Sequence, residues 1–122
     1  MIEVVDLRKS FGDNEILKGI TTTLETGKIN LIIGQSGSGK TVFLKSLLNV
    51  FEPTSGSILF DGRNIVEMTP KQKQELRAEI GTVFQGSALF DSMTVEENIM
   101  FPLDMFTNLT YAEKKKRVKE VI

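Results

Sequence analysis

Gly34-Gln35-Ser36-Gly37-Ser38-Gly39-Lys40-Thr41 sets glycines, a lysine and a hydroxyl in the order G-x-x-x-x-G-K-[ST]. Each position has its own chemistry. The glycines let the backbone curl until successive N–H groups converge on phosphate oxygens, and the head of a following helix adds partial positive charge. Lys40 is then placed to meet the β and γ phosphates of a nucleotide, and the Thr41 hydroxyl to reach Mg²⁺. The loop works only between a buried strand and an amphipathic helix, so the flanking elements decide whether the pattern means anything.

Those elements are where the mechanism needs them. "KINLIIG", Lys28 to Gly34, is a compact isoleucine-rich run ending in glycine, which predicts a strand buried on both faces. After the loop, Leu44, Leu47, Leu48 and Phe51 repeat at i, i+3, i+4 and i+7, which predicts a helix with one apolar stripe that Pro53 stops. Upstream, Ile2 to Leu7 and Ile16 to Leu24 show short, imperfect alternations around "SFGDNE", and predict antiparallel strands. "GSILFDGRNI" reads as a hairpin turning at Asp61-Gly62.

Thr69, Pro70 and Gln72 open a second helix with a capping pattern. "IGTVFQ", Ile80 to Gln85, predicts another short strand. The box Thr94 to Glu97 opens a third helix expected to end near Pro102. Thr110 to Glu113 opens a fourth, on which Tyr111, Val118 and Ile122 are expected to share a face. The chain stops inside that periodic segment, which suggests a truncated domain.

Composition narrows the class. At 122 residues the chain has the length of one domain, able to bury roughly two thirds of its unfolded surface. With 15 Lys plus Arg against 16 Asp plus Glu, no long-range field favours nucleic acid, and none is expected as a partner. "KKKR", Lys114 to Arg117, sits among Glu113 and Glu120 and reads as a solvated helix face. The chain contains no cysteine, which removes thiol chemistry and fits a reducing cytosol, and no histidine, which removes imidazole as base or ligand. "MIEVVDLRKS" has no apolar signal, and no run approaches the roughly 18 residues of a membrane span, so a cytoplasmic protein is expected.

The order of these features resembles the N-terminal half of the nucleotide-binding subunit of an ABC transporter. An aromatic, Phe11, lies in the first turn; the phosphate loop follows; then come "EPTSGSILFDGRNI" and "IGTVFQGSALFDSMTVEENI", the latter similar to that family's Q-loop segment. The likeness covers essentially residues 1–122, read as one domain portion. It implies an α/β, P-loop NTPase fold of ABC type, N-terminal half only: an antiparallel β subdomain plus an incomplete RecA-like core.

It also implies ATP and Mg²⁺ as ligands. Gly34, Gln35, Ser36, Gly37, Ser38, Gly39, Lys40 and Thr41 would hold the phosphates, Phe11 would stack on adenine, and Thr41 and Gln85 would bind the metal. Lys40 and Gln85 would be the residues nearest the chemistry. The implied partners are a membrane permease and a second ATP-binding subunit, giving a homodimer in the complete form. The protein would then lie in the cytoplasm, peripheral to the inner membrane through that permease. "GTVFQGSALFDSMTVEENIMFPL" looks most like the ATPases of Mla-type phospholipid transport systems. Its many apolar residues, Ala88 to Leu103, exceed one helix stripe, and either dock the permease or enter the core.

The family's signature motif, Walker B strand with its catalytic Glu, and switch His have no counterpart among these residues. Hydrolysis by this chain alone is expected to be absent or very slow, since losing a general base costs about 10²- to 10⁴-fold. Self-association through the unpaired "KINLIIG" strand is expected. A soluble, non-transport ABC protein and a stand-alone nucleotide-binding module remain alternatives. A P-loop kinase or GTPase fits poorly, having no place for two antiparallel strands ahead of the loop.

Overall fold

Strands β1 (Ile2–Phe11) and β2 (Asn14–Leu24) form an antiparallel pair closed by Gly12 and Asp13, with Phe11 opposite Asn14. Gly12, at φ 61°, supplies the positive angle that such a two-residue turn requires. In the computed structural model, which describes residues 1–122, two units are distinguished, Met1–Gly81 and Thr82–Ile122.

The first unit is built on a four-stranded antiparallel sheet in the order β2-β1-β3-β4, where β3 is Ser55–Phe60 and β4 is Arg63–Asn64. Asp61 and Gly62, at φ 48° and 81°, make the expected β3–β4 turn. The imperfect alternation of β1 has a physical cause. Val4 pairs with Thr22 but Leu7 with Ile20, so β1 carries one extra residue, and Asp6 there has φ 45°. Strict alternation from Val4 would turn Asp6 inward; the bulge resets the faces, so that Val4 and Leu7 are both buried. They join Leu17, Ile58, Phe60, Ile65 and Leu76 in the core.

Helix α1 (Lys40–Leu47) is shorter than predicted and buries a different face. Phe43, Ser46 and Leu47 are buried, whereas Leu44 is half-exposed. The helix ends before Pro53 because Asn49 takes the left-handed conformation, at φ 53°. Its N–H donates to the Ser46 carbonyl and that of Val50 to the Lys45 carbonyl, the paired bonds of a Schellman stop. Helix α2 (Pro70–Ala78) follows a 3₁₀ turn at Ile65–Glu67 and has the predicted cap: Thr69 Oγ1 accepts from Gln72 N, and Gln72 Oε1 from Thr69 N.

The two predicted core strands do not form. Residues 28–34 and 80–85 join no ladder, and a segment without a paired neighbour does not form a strand. Ile29, Leu31 and Ile33 are 100%, 82% and 81% exposed, and of the two segments' apolar residues Ile32 and Ile80 pack against the core.

In the second unit, α3 (Val95–Phe106) and α4 (Tyr111–Val121) each start at the predicted capping box, Thr94 with Glu97 and Thr110 with Glu113. Helix α3 runs through Pro102 for another turn rather than ending there. One missing N–H forfeits one intrahelical bond, and the Thr107 N–H and hydroxyl both donate to the Leu103 carbonyl to finish the helix. Of the expected face on α4 only Val118 is buried; Tyr111 and Ile122 are exposed, the Tyr111 ring lying under the Lys115 ammonium at 5.6 Å. Lys114 pairs with Asp104 at 2.7 Å and Lys115 with Glu96 at 2.9 Å, so the basic run joins the two helices by ion pairs.

Candidate phosphate-binding site

Residues 34–41 form a turn leading into the head of α1, with Ser38 N donating to the Gln35 carbonyl at 3.1 Å. Gly37 and Gly39 have φ of 79° and 100°, a region that side chains rarely adopt. Gly34 is needed for a different reason: a Cβ there would lie 2.5 Å from Ser38 Oγ. Gly39 is also the N-cap of α1, where a Cβ would come within 3.1 Å of Ile16 Cγ2 and 3.3 Å of Leu17 Cδ2. The helix head is thereby set directly against the start of β2.

Helices α2, α3 and α4 have threonine side chains accepting from their first-turn N–H groups; α1 has no side-chain cap and no acidic residue in its first turn. Its free N–H groups and partial positive charge face the loop, an arrangement suited to an anion. Lys40 turns back over the same loop, Nζ donating to the carbonyls of Gly34 at 2.5 Å and Gln35 at 2.7 Å. Thr41 is exposed in the first turn of α1. The donor set is cationic and rich in N–H and hydroxyl groups, which fits phosphate. It holds hydroxyl and amide oxygens but no carboxylate, which fits a metal carried mainly by the phosphates themselves.

Gln85 belongs to the second unit, exposed in a turn where Gly86, Ser87 and Ala88 all have positive φ. Phe11 stands at the end of β1, 44% exposed, and meets Phe51 edge to face at 5.2 Å between centroids. Phe51 was legible only as part of a helix stripe; its neighbours Lys9 and Lys45, 5.0 Å from the Phe11 centroid and 5.4 Å from that of Phe51, carried no pattern in the sequence.

A cavity of about 350 Å³ elsewhere in the first unit is lined by Arg63, Glu67, Glu75 and Glu79, among others, and includes no residue of the loop. Its carboxylates outnumber its guanidinium, and Arg63 is held by Glu79 through two bonds of 3.1 and 3.0 Å. The hydrogen bonds and charge of Arg63 lower the Glu79 carboxyl below its ordinary value. A polyanion has no reason to enter there.

A glycine-rich turn that runs into an uncapped helix head, packed beside an antiparallel sheet, is the local arrangement that P-loop proteins use to hold phosphate. The family model described as ABC transporter matches residues 17–122. The chain belongs to the ABC transporter family, in its ATP-binding component. It is 40% identical over 121 residues to mkl of Mycobacterium tuberculosis, a probable ribonucleotide transport ATP-binding protein, covering 99% of this chain and 33% of that protein. It is 42% identical over 106 residues to the methionine import ATP-binding protein MetN of Corynebacterium diphtheriae, covering 87% of this chain and 31% of that one.

A solved dimeric ATP-binding cassette, in a post-hydrolysis state with ADP and Pi, superposes with a TM-score of 0.82 at 27% identity over 98% of this chain and 55% of the other. The fold is thus the N-terminal half of an ABC cassette, and the chain spans about a third of the length of the curated relatives it matches.

Proposed function

We propose that residues 1–122 are the N-terminal part of the nucleotide-binding domain of an ABC transport ATPase, and that Gly34 to Thr41 hold the phosphates of ATP. The observation that carries this is the Lys40 ammonium turned over the glycine loop at the only uncapped α-helix start in the chain. In this reading the N–H groups of residues 35–41 grip phosphate oxygens, and Lys40 exchanges its two carbonyls for the β and γ phosphates. The Thr41 hydroxyl would be the metal ligand that this loop supplies, and Phe11 offers a ring to the base. Mg²⁺, when bound, neutralises phosphate charge.

The whole protein would hydrolyse ATP as a homodimer and drive a membrane permease, and would be peripheral to the inner membrane through it. The dimeric state of the similar cassette and the transport names of the relatives support this. The exposed apolar residues Leu89, Phe90, Met93, Met105 and Phe106 favour a protein partner over the soluble, permease-free reading. Relatives of nearly equal identity carry names for ribonucleotide and methionine transport, so the ATP site does not select the cargo. Phospholipid as cargo rests on the likeness of residues 81–103 alone, and this chain by itself is proposed not to hydrolyse ATP.

Titration of the chain with MgATP tests the core of the reading. Binding in the millimolar range, about 4 kcal/mol, is expected, weakened at least tenfold in Lys40→Ala. Equal binding by parent and variant would remove Lys40 from its proposed role.

A further inference from the structure

Phe11 and Phe51 come from separate elements, the end of β1 and the segment after α1, and their ring planes meet at 79°. Two hydrogen bonds hold that segment against β1 and a third ties it back to α1. Thr54 N donates to the Arg8 carbonyl at 2.9 Å, Ser10 N to Thr54 Oγ1 at 2.9 Å, and Phe51 N to the Lys45 carbonyl at 3.3 Å. Phe51 is partly buried, whereas Phe11 keeps 44% of its surface open. A ring at the tip of a strand ordinarily samples several rotamers; here an edge contact from a held neighbour and the Lys9 ammonium, 5.0 Å from the centroid, define its plane.

The placement relative to the phosphate loop is equally defined. Gly39 at the head of α1 packs on Ile16 and Leu17 of β2, and Asn14, which pairs with Phe11, lies two and three residues before them at the start of that strand. At about 3.3 Å per residue the backbone partner of Phe11 lies roughly 7 to 10 Å along β2 from the residues that meet the helix head, a span that a ribose and its linking phosphate bridge.

We propose that Phe51 is a positioning residue for the nucleobase: it holds the Phe11 ring in the plane on which the base of a bound nucleoside triphosphate stacks. The inference rests on the phosphate-loop reading and adds a residue that works only through Phe11. A ring fixed before binding loses less rotational freedom when the base arrives, so the benefit appears as affinity for ligands that have a base and not for those that lack one.

The test compares MgATP with inorganic tripolyphosphate, by calorimetric titration of the parent chain, Phe51→Leu and Phe51→Tyr. Expected is a two- to tenfold loss of ATP affinity, roughly the range of an aromatic pair, in Phe51→Leu, with tripolyphosphate binding unchanged and Phe51→Tyr close to parent. The proposal is overturned if Phe51→Leu binds ATP as the parent does, if it loses both ligands by the same factor, or if Phe51→Tyr loses as much as Phe51→Leu. Those three results leave the phosphate loop standing. A parent chain that binds neither ligand overturns the phosphate-loop reading and this inference together.

Discussion

Lys40 reaches back six residues, its ammonium donating to the Gly34 carbonyl at 2.5 Å and sharing a further proton with Gln35 at 2.7 Å. The side chain expected to meet phosphate therefore also braces the loop that surrounds it. Removing it should loosen residues 34–38 even without ligand. Lys40→Met is expected to speed amide exchange at Gly37 and Ser38 several-fold while lowering global stability by only about 1 kcal/mol, because these bonds are partly solvated. Hydrogen-exchange mass spectrometry checks this, and unchanged protection at those amides would show that the brace contributes nothing.

Gly56 sets a sharper limit. A Cβ there would lie 2.3 Å from the Asp6 carbonyl oxygen, at the β1 bulge, and φ is 92°. Gly12 and Gly62 also have positive φ, but a Cβ at either meets nothing within 4 Å. Gly56→Ala should therefore cost about 3 kcal/mol or more, against about 1 kcal/mol for Gly12→Ala or Gly62→Ala. Urea unfolding of the three variants measures the difference, and equal losses would mean that the close approach carries no strain.

How much of this was readable in the sequence follows from how local each cause is. Three threonine capping boxes and the Asp61-Gly62 turn were visible because they act within four residues. The phosphate loop was visible because its residue types are constrained by backbone angle and by charge. What escaped depends on neighbours. The Asp6 bulge is a compromise between two partner strands, and the Schellman stop at Asn49 overrode the expectation that Pro53 would end α1. "KINLIIG" has a buried strand's composition but no strand beside it, so its periodicity predicted an element that the packing did not complete. For the site, the loop was legible; the Phe11–Phe51 pair was not, since its members are 40 positions apart.

Asn98 ties the start of α3 to the loop before it. Its Oδ1 accepts from Phe90 N at 2.8 Å, and its Nδ2 donates to the carbonyls of Phe90 at 3.0 Å and Thr94 at 2.9 Å. An aspartate would keep the acceptor and set a negative charge against two carbonyls. Asn98→Asp should thus disturb residues 90–94 at least as much as Asn98→Ala, each costing about 1 kcal/mol and exposing the Phe90 amide to exchange. A variant with parental Phe90 protection would show that the loop holds without the clamp.

Glu79 should leave a mark on acid stability. Arg63, chiefly through its hydrogen bonds, lowers the folded-state pKa of Glu79 below the ordinary value of 4.5. A depressed carboxyl contributes stability that is fully present above the unfolded value and is lost as pH falls through the folded one. Stability should then decline below about pH 4.5 less steeply in Glu79→Gln than in the parent, with the difference shrinking in salt because the pair is exposed. Denaturant midpoints between pH 3 and 7 at two ionic strengths, on the order of 0.02 and 0.5 M, decide it. Parallel curves would mean the pair does not couple to folding.

Ile29, Leu31 and Ile33 are exposed at alternate positions of a segment whose backbone joins no strand ladder, and Val83 in the second unit is 98% exposed. An apolar, unpaired, extended segment is a template for another copy of itself. The chain should accordingly associate at micromolar concentration, and a charge should interrupt this without touching the core, since Ile32 alone of the segment's apolar residues packs inward. Leu31→Lys, and Leu31→Lys with Ile33→Lys, are expected to restore a monomer by light scattering while retaining the β-sheet signal and melting midpoint of the first unit. If the parent chain is monomeric at high concentration and melts cooperatively, residues 28–34 are not an association surface. Persistence of large species in the double variant would place the contact elsewhere, with the exposed side chains of α3 as the next surface to charge.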